Sequence, residues 1–308
     1  MRAELGTIFL LLAFASSLYA LIASLVGGRN KNAALVESAR NAAVVVWPLL
    51  TLAALMLIVF LVNADFNVAY VWSVIDRSMP TYLRITALWG SQAGSLLFWS
   101  WLMSTFNAAV MLRNWDRERA LMPWVIAATS GTLVFFVALV TFWENPFLRY
   151  WQTPAGDIVG TMFGPSGLLS GLSTGLATLG ERIGGLLGMI MGGVVPFAPP
   201  PGAAAFNPAN GQGLNPLLRH PGMIIHPPML YLGFVSFVVP YAFAMAALVE
   251  RDTGSSWIQT TRRWTLVGWL FLSLGLILGG WWAYDVLGWG GYWAWDPVEN
   301  AALMPWLT

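Results

Sequence analysis

The stretch that decides the fold runs from Trp281 to Leu307 and reads WWAYDVLGWGGYWAWDPVENAALMPWL. It holds six of the chain's 18 tryptophans, together with several glycines and three acidic residues. Tryptophan rings settle where apolar and wet surroundings meet. An interfacial aromatic belt accounts for one or two such rings. Six rings in one segment, wedged between two apolar helices, favour a flat aromatic platform for a large planar ligand.

The composition is that of an integral membrane protein. Hydrophobic residues make up 57% of the chain and charged residues only 9%, whereas a soluble domain carries about a quarter of charged residues. The net charge of +1 gives no indication of a nucleic-acid partner. The chain has no cysteine, which excludes disulfides, thiolate catalysis and a cysteine-ligated metal.

Six apolar segments are long enough to cross a bilayer, which takes about 20 residues per helix. The first apolar run is too long for the core of a signal peptide, so it is predicted to be a retained helix. A seventh helix is predicted to start near Pro297, and because only its start is present we expect the chain to be the N-terminal part of a longer protein. The six predicted spans are Leu5–Val26, Ala42–Val62, Gly94–Leu112, Met122–Trp143, Pro228–Val249 and Trp264–Trp282.

The basic residues predict the orientation of these spans. Nine of the 15 lysines and arginines lie in the three short loops after the first, third and fifth spans. Such loops face the cytoplasm, so the N-terminus and the tryptophan-rich loop are predicted to lie outside. The chain then divides into a four-helix membrane region (1–143), a long outside loop (144–227) and the region that carries the tryptophans (228–308).

The outside loop contains a glycine-rich insert, at about 153–201. Its glycines recur mostly at three- and four-residue spacing, a pattern that marks close helix contact in membranes. Glu181 and Arg182 interrupt the insert and leave apolar pieces too short to span. We therefore expect an interfacial or re-entrant helical element, within an all-α polytopic membrane protein of six full spans and the start of a seventh.

A second segment, LNPLLRHPGMIIHPPMLYLGF from Leu214 to Phe234, contains both histidines of the chain. Pro227 and Pro228 are predicted to set the first turn of the fifth helix, which places His226 at its outside mouth. Residue type alone favours an interfacial or capping role over a ligand role. A neutral imidazole is, however, a common axial ligand of haem iron, and His226 is predicted to share a membrane face with the tryptophans. His220 is predicted to be incidental.

The acidic residues of the tryptophan segment have a structural interpretation of their own. The order Asp296-Pro297-Val298-Glu299 is close to a capping box that opens the seventh helix. Capping is therefore the expected main role of Asp296 and Glu299. Asp285 is predicted to lie just outside the sixth helix, where it is either solvated or hydrogen-bonded to loop amides.

Glycines and arginines supply weaker candidates. Gly288, Gly290 and Gly291 permit tight turns or a close approach of the backbone to a ligand. Arg84 and Arg219 are predicted to lie on the outside face, where a guanidinium group can pair with a carboxylate such as a haem propionate. Arginines on that face also serve as ordinary interface anchors.

The segment Trp281–Leu307 closely resembles the tryptophan-rich WWD signature of the haem-handling membrane proteins of cytochrome c maturation. Within them it is most similar to haem lyase subunits of the CcmF type. The segments LNPLLRHPGMIIHPPMLYLGFVSF and RITALWGSQAGSLLFWSWLMS resemble two further regions of that family. The three matches occur in the family's order and span most of Arg84 to Leu307.

The resemblance implies a role at the outer face of the bacterial inner membrane. Such proteins take haem from a haem chaperone and present it to apocytochrome c, with a thioreduction or chaperone subunit as a further partner. Haem then attaches through thioether bonds to the cysteines of a CXXCH motif, so the chain needs no catalytic residue of its own. The resemblance makes His226 the axial ligand of the iron and assigns the haem cradle to Trp281, Trp282, Trp289, Trp293, Trp295 and Asp296.

The resemblance also implies ligands that this sequence does not contain. A second outside histidine, and a transmembrane pair that binds a permanent haem b, are expected beyond Thr308. Three other classes of function remain as alternatives. An ion-coupled small-solute transporter needs ionisable residues within its spans, and these spans are nearly free of charge. A quinone- or haem-binding electron-transfer subunit can use aromatic residues and a lone histidine, but quinone binding leaves the tryptophan cluster unexplained. A purely structural subunit is the third alternative for this part of the chain.

Overall fold

The computed structural model describes residues 2–164, 195–288 and 290–308. Helices dominate these residues, and short 3-10 turns at Ala87–Trp89 and Pro216–Leu218 join some of them. The helices are α1 (Arg2–Arg29), α2 (Ala33–Asn63), α3 (Ala69–Val74), α4 (Thr81–Thr86), α5 (Gln92–Arg113), α6 (Met122–Phe142), α7 (Gly222–Ser236), α8 (Val238–Glu250), α9 (Ser256–Val286) and α10 (Pro297–Leu307).

Six helical segments of the described chain are long and apolar enough to cross a membrane. Each overlaps one predicted span, so the prediction of a polytopic helical membrane protein with six spans is confirmed. The fifth segment consists of α7 and α8, which only Phe237 separates. The six segments are Ala3–Arg29, Ala33–Asn63, Gln92–Arg113, Met122–Phe142, Gly222–Glu250 and Ser256–Val286.

The start of the fifth span differs from its prediction. Helix α7 begins at Gly222, so Pro227 and Pro228 lie inside the helix and do not form its first turn. The preceding His220 starts the helix instead, because its Nδ1 accepts the N–H of Gly222 at 3.0 Å and its carbonyl accepts the N–H of Met223 at 2.9 Å. Both prolines lie beyond the first turn, so each removes one backbone hydrogen bond, to the carbonyl of Met223 or of Ile224.

The sixth span is also longer than predicted. Helix α9 continues to Val286, and Gly288 follows its end with a φ of +70°. This left-handed conformation suits glycine and is a common way to end a helix. Asp285 therefore lies in the last turn of α9, and the prediction that it lies just outside the helix is wrong. The predicted start of the seventh helix at Pro297 is confirmed by α10.

The described residues pack as two compact units, and four helices (α1, α2, α5 and α6) contribute residues to both. The first unit comprises Met1–Phe14, Leu49–Phe98 and Phe136–Asn215. The second comprises Ala15–Pro48, Trp99–Phe135 and Pro216–Thr308. The three-part division made from the sequence follows chain order and stays a prediction.

The first unit contains a small antiparallel sheet that the sequence did not predict. Its strands are β1 (Arg149–Gln152), β2 (Ile158–Thr161) and β3 (Ala204–Ala205), in the order β2-β1-β3. Strand β1 ends directly before the glycine-rich insert and β3 follows it, whereas β2 lies within it. The predicted interfacial or re-entrant element falls mainly on residues 165–194, which lie outside the described residues.

The second unit is organised by close contact between α7 and α9. A Cβ atom added to Gly275 of α9 would lie 2.6 Å from the Cα of Leu230. One added to Gly233 of α7 would collide with the backbone of Leu272, a residue that is fully buried. Small residues let two membrane helices approach in this way. The contact fixes the position of every side chain that α7 presents to α9, including His226.

Candidate functional site

The imidazole of His226 is held by a single hydrogen bond to α9. Its Nδ1 lies 2.9 Å from the carbonyl oxygen of Gly275. A carbonyl only accepts, so Nδ1 carries the proton and Nε2 keeps its lone pair. Nε2 has no hydrogen-bond partner within the described part of the chain. A backbone carbonyl that fixes one ring nitrogen and leaves the other available is the usual arrangement for a metal-binding histidine.

A glycine and a tryptophan of α9 complete the surroundings of His226. A Cβ atom on Gly279 would lie 2.6 Å from the Cε1 of the imidazole, so the ring occupies the space that a side chain would need. The ring of Trp282 lies 5.5 Å from the imidazole, centroid to centroid, at 61°. Its indole N–H is buried and has no acceptor among the described residues. Fewer than one buried polar group in ten is left unpaired. The indole N–H of Trp282 is therefore a candidate donor to a ligand.

His220 has a structural role, and the prediction that it is incidental is wrong. Besides capping α7 at Gly222, its Nε2 lies 3.9 Å from Oδ2 of Asp285. Its ring lies 5.7 Å from that of Trp281. His220 thus connects the start of α7 to the end of α9. The sequence signal for this capping role is a polar residue directly before the Pro221-Gly222 pair.

An apolar groove lies on the other side of α9, between that helix, the following loop and α10. We call it the tryptophan groove. It has a volume of about 490 Å³. Among the described residues that line it, none is charged, and Ser273 is the one with an aliphatic hydroxyl group. The lining residues are Ser273, Leu276, Ile277, Gly280, Trp281, Tyr292, Trp293, Leu303 and Trp306.

Hydrogen bonds satisfy one indole of the tryptophan groove and leave another unpaired. The N–H of Trp306 donates to Oγ of Ser273 at 2.7 Å, and the Trp306 ring stacks on Trp269 at 5.9 Å. The N–H of Trp269 donates to the Trp306 carbonyl at 3.2 Å. By contrast, the N–H of Trp293 is buried without an acceptor in the described chain. Sequence reasoning missed Ser273 and Trp269, although their four-residue spacing on a helix would have placed them on one face.

The predicted cap at the start of α10 is confirmed. The carboxylate of Asp296 accepts the N–H groups of Val298 and Glu299, both at 2.7 Å. Oε2 of Glu299 accepts the N–H of Ala294 at 2.7 Å, whereas in a strict capping box it would reach the amide of the capping residue. The two carboxylates therefore tie the loop to the first turn of α10.

Trp295 is the most unusual residue of the loop. Its backbone has a φ of +59°, and its side chain is 68% exposed. The left-handed region costs a residue other than glycine roughly 1–2 kcal/mol. Nδ2 of Asn300 donates to the Trp295 carbonyl at 3.0 Å and stabilises this conformation. Gly290 also has a positive φ, +75°, and is exposed, while Trp289 lies outside the described residues.

The structure divides the predicted haem residues between two faces of α9. Trp282 lies with His226 on the face of Gly275 and Gly279, which we call the histidine face. Trp281 and Trp293 line the tryptophan groove. With 3.6 residues per turn, positions 275, 279 and 282 lie roughly opposite positions 273, 276 and 280. Neighbours in the sequence, such as the two tryptophans at 281 and 282, therefore serve different surfaces.

The two arginine candidates have different surroundings. Arg84, in the first unit, donates to the carbonyls of Met79, Val62 and Arg77 at 2.9, 3.0 and 3.0 Å. These bonds occupy Nε and both terminal nitrogens, so Arg84 stabilises the packing of its own unit. Arg219 belongs to the second unit, is exposed, and directly precedes His220.

The fold and the site define a polytopic helical membrane protein whose sixth span leads into an aromatic segment. The model of a family described as cytochrome C assembly protein matches residues 89–308, more than half of the chain. The chain therefore belongs to the cytochrome c assembly protein family, and the resemblance seen in the sequence is confirmed.

Individual relatives agree with this assignment. The chain is 36% identical over 308 residues to cytochrome c-type biogenesis protein CcmF of Haemophilus influenzae, covering all of the chain and 39% of that relative. It is 34% identical over 307 residues to CcmF of Escherichia coli, again covering all of the chain and 39% of the relative. The solved structure named cytochrome c heme lyase CcmF matches with a TM-score of 0.71 and 28% identity, over the whole chain and 40% of that structure. The chain thus spans about two fifths of the length of these relatives.

Proposed function

We propose that the chain handles haem in the biogenesis of c-type cytochromes, as part of a haem lyase in the bacterial inner membrane. The observation that carries the proposal is the imidazole of His226. Its Nδ1 is fixed by the Gly275 carbonyl at 2.9 Å, and its Nε2 is left without a partner among the described residues. Membership of the cytochrome c assembly family supports the choice of haem over other ligands of an imidazole.

The residues around His226 suit haem on chemical grounds. Haem is a large planar ring with an apolar body, and it requires an axial ligand that is a neutral nitrogen. The histidine face offers that nitrogen beside the ring of Trp282. The indole N–H groups of Trp282 and Trp293, which have no acceptor among the described residues, are donors suited to the carboxylates of a ligand.

We assign a role to each residue of the cradle. His226 binds the iron through Nε2, and Trp282 forms a wall of the same surface. Trp281 and Trp293, with the exposed Trp295, supply aromatic surface on the side of the tryptophan groove. Asp296 acts by positioning, because its carboxylate fixes the start of α10. Trp289 is assigned to the same aromatic surface on the strength of the sequence alone, and Asp285, Gly290 and Arg219 are secondary candidates at its edge.

The chemistry of attachment belongs to the cofactor and the substrate. Bound haem supplies the vinyl groups to which the cysteine thiols of a CXXCH apocytochrome add, forming thioether bonds. This chain contributes binding and orientation and has no cysteine of its own. We propose a haem chaperone as the donor of haem, and an apocytochrome with its thioreduction subunit as the acceptor. A second axial histidine and a permanent haem b are assigned to the remainder of the protein.

We further propose that the tryptophan segment faces the periplasm. The argument is the excess of lysine and arginine in the loops that follow the first, third and fifth spans. In the structure these basic residues lie in the connections from α1 to α2, α5 to α6 and α8 to α9, or in the helix ends beside them. The loop between α9 and α10 then lies on the opposite side, where cytochromes c are assembled.

The proposal is tested by two substitutions of His226 in the full natural protein. His226→Ala removes the ligand and the hydrogen bond to Gly275, whereas His226→Gln keeps a donor for that carbonyl but offers no imidazole. We expect both variants to lower the haem content of the purified protein and the yield of cytochrome c to a similar degree. A normal haem content and cytochrome yield in His226→Gln would contradict ligation by His226 and leave only a structural role.

A further inference from the structure

A second groove lies in the second unit, near the N-terminal end of α9, whereas the tryptophan groove lies towards the C-terminal end of that helix. It is formed by the end of α5, the residues that follow it and the start of α9, and it has a volume of about 710 Å³. We call it the arginine groove. Four of its nine lining residues are arginines, and none is acidic. The arginines are Arg113, Arg117, Arg262 and Arg263.

The four guanidinium groups are available for a ligand. Within the described residues none of them forms a salt bridge or a side-chain hydrogen bond, and all four side chains are exposed. Like charges brought together in a groove raise its positive potential and favour the binding of an anion. Guanidinium groups are especially suited to phosphate, which they bind with paired hydrogen bonds.

A buried polar side chain gives an independent indication of a ligand. Asn114 lines the arginine groove, is only 5% exposed, and has an amide oxygen without a hydrogen-bond partner in the described chain. A buried amide is almost always satisfied. The oxygen and nitrogen of an amide exchange places in a half-turn, so the unpaired position can hold the NH₂ group, which is the donor that an anion requires.

A buried carboxylate beside the groove does not neutralise it. Glu118 is 8% exposed, and its Oε1 accepts the hydroxyl of Thr260 at 2.8 Å. Its Oε2 lies 3.5 Å from the hydroxyl of Ser256. Both oxygens therefore face hydroxyl groups of α9, and neither pairs with an arginine of the groove.

The groove continues into an apolar surface along α9. Leu266 and Leu270 follow Arg262 by one and two turns, and they are 56% and 52% exposed. Val267, which also lines the groove, is exposed beside them. Positions 262, 263, 266, 267 and 270 share one face of the helix. A basic pocket followed by an exposed apolar stripe matches the headgroup and acyl chains of a phospholipid.

We propose that the arginine groove binds a phosphate-bearing anion, and that this anion is the headgroup of an anionic phospholipid. The groove lies at helix ends that the charge bias assigns to the cytoplasmic side, so the lipid belongs to that leaflet. Four arginines hold the phosphate, Asn114 adds a polar contact, and the exposed leucines of α9 hold the acyl chains. The site is independent of haem, because its residues take no part in the histidine face or the tryptophan groove.

Native mass spectrometry of the full natural protein, stripped of lipid in detergent, tests the proposal. The probes are phosphatidylglycerol, phosphatidylcholine and inorganic phosphate, each titrated separately. The test variant is Arg262→Gln with Arg263→Gln. The control is Arg29→Gln with Arg251→Gln, which removes the same charge from exposed positions on the same predicted side but outside the groove.

We expect the protein to bind phosphatidylglycerol in preference to phosphatidylcholine. Each surface arginine contributes about 1 kcal/mol to attraction of an anionic lipid, so the test variant should bind phosphatidylglycerol roughly tenfold to thirtyfold more weakly. The control should bind it nearly as wild type does. Binding of inorganic phosphate as tight as that of phosphatidylglycerol, lost in the test variant, would support the anion site and overturn the lipid assignment. Equal losses in test and control variants, or equal binding of the two lipids, would overturn the site itself.

Discussion

The histidine face and the tryptophan groove lie on the same helix and are built in opposite ways. On the histidine face, glycines bring the backbone of α9 against α7, and one imidazole is fixed between them. On the groove side, large rings stand apart and leave about 490 Å³ of apolar space. The histidine face fixes the position of the imidazole nitrogens, and the tryptophan groove provides apolar contact area.

Under the proposed function, this difference lets one helix supply both requirements of haem binding. A ligand atom must be held within a fraction of an ångström, which needs close backbone packing and a second hydrogen bond. A surface for a large apolar ring needs contact area more than fixed atoms. Because the helical period turns neighbouring residues to different sides, substitutions one residue apart can separate the two functions.

The largest difference in cytochrome c yield is expected between Gly279→Ala and Gly280→Ala. At Gly279 the new Cβ would meet the imidazole at 2.6 Å, so His226 must move. At Gly280 it would lie 3.1 Å from the Tyr292 carbonyl and leave the imidazole untouched. A displaced catalytic or binding group costs on the order of tenfold to hundredfold in activity. We therefore expect a much lower cytochrome c yield for Gly279→Ala than for Gly280→Ala.

Gly131→Ala serves as the control for this pair, because its Cβ would make only an ordinary contact, 3.6 Å from Leu21. All three variants should be compared at equal amounts of folded protein in the membrane. Equal losses for Gly279→Ala and Gly280→Ala would show that the two faces of α9 do not have separate roles.

A smaller effect is expected from removing the unpaired indole N–H groups while keeping most of each ring. In Trp282→Phe and Trp293→Phe the buried donor disappears. Without ligand, thermal stability should change little, since loss of an unsatisfied polar group offsets part of the lost packing. If the N–H donates to haem, affinity for added haem falls by about 1 kcal/mol, or roughly fivefold.

Haem titration of each variant, beside a melting curve without haem, separates the two contributions. Trp306→Phe is the matched comparison, because its N–H already has Ser273 as an acceptor at 2.7 Å. We expect this variant to lose stability without a specific loss of haem affinity. Weaker haem binding by Trp306→Phe, with unchanged binding by Trp282→Phe and Trp293→Phe, would show that the two indole donors have no part in binding.

The smallest effect is expected from Asp296→Ala, which removes the cap of α10. The carboxylate accepts two backbone N–H groups at 2.7 Å, and loss of such a cap costs about 0.5–2 kcal/mol. Hydrogen exchange at the amides of Val298 and Glu299 should become faster. Exchange in α7, on the histidine face, should stay as in wild type. Faster exchange in both helices would mean that Asp296 stabilises more than the groove side.

Local chemistry explains which parts of this arrangement the sequence predicts. Apolar length alone predicts the six spans, and the order of residues from Asp296 to Glu299 predicts the start of α10 and its cap. The predicted start of α7 is wrong because a proline pair is typical of a first turn, whereas here His220 starts the helix. A proline pair suits the first turn of a helix, but a helix also accepts it one turn later.

The division of the site was harder to predict for a geometric reason. Trp281 and Trp282 read as one motif in the sequence, yet the helix turns them about 100° apart. The predicted sixth span, Trp264–Trp282, already contains both residues, but which side of it faces α7 follows only from the packing of Gly275 against Leu230. The positive φ of Trp295 has no signal in the sequence, because glycine is the residue expected there. It depends on the bond from Asn300, a contact made after α10 has formed.

Chemical rescue of His226→Gly tests the central claim most directly. The substitution removes the imidazole and leaves a space beside Gly279 that free imidazole can enter. Cytochrome c yield is measured in cells that produce the full natural protein with this substitution, grown with and without imidazole. If His226 ligates haem iron through Nε2, the yield is low without imidazole and recovers as imidazole is added, while wild type is unaffected. A yield that stays low at every imidazole concentration, or is normal without any, would contradict ligation by His226.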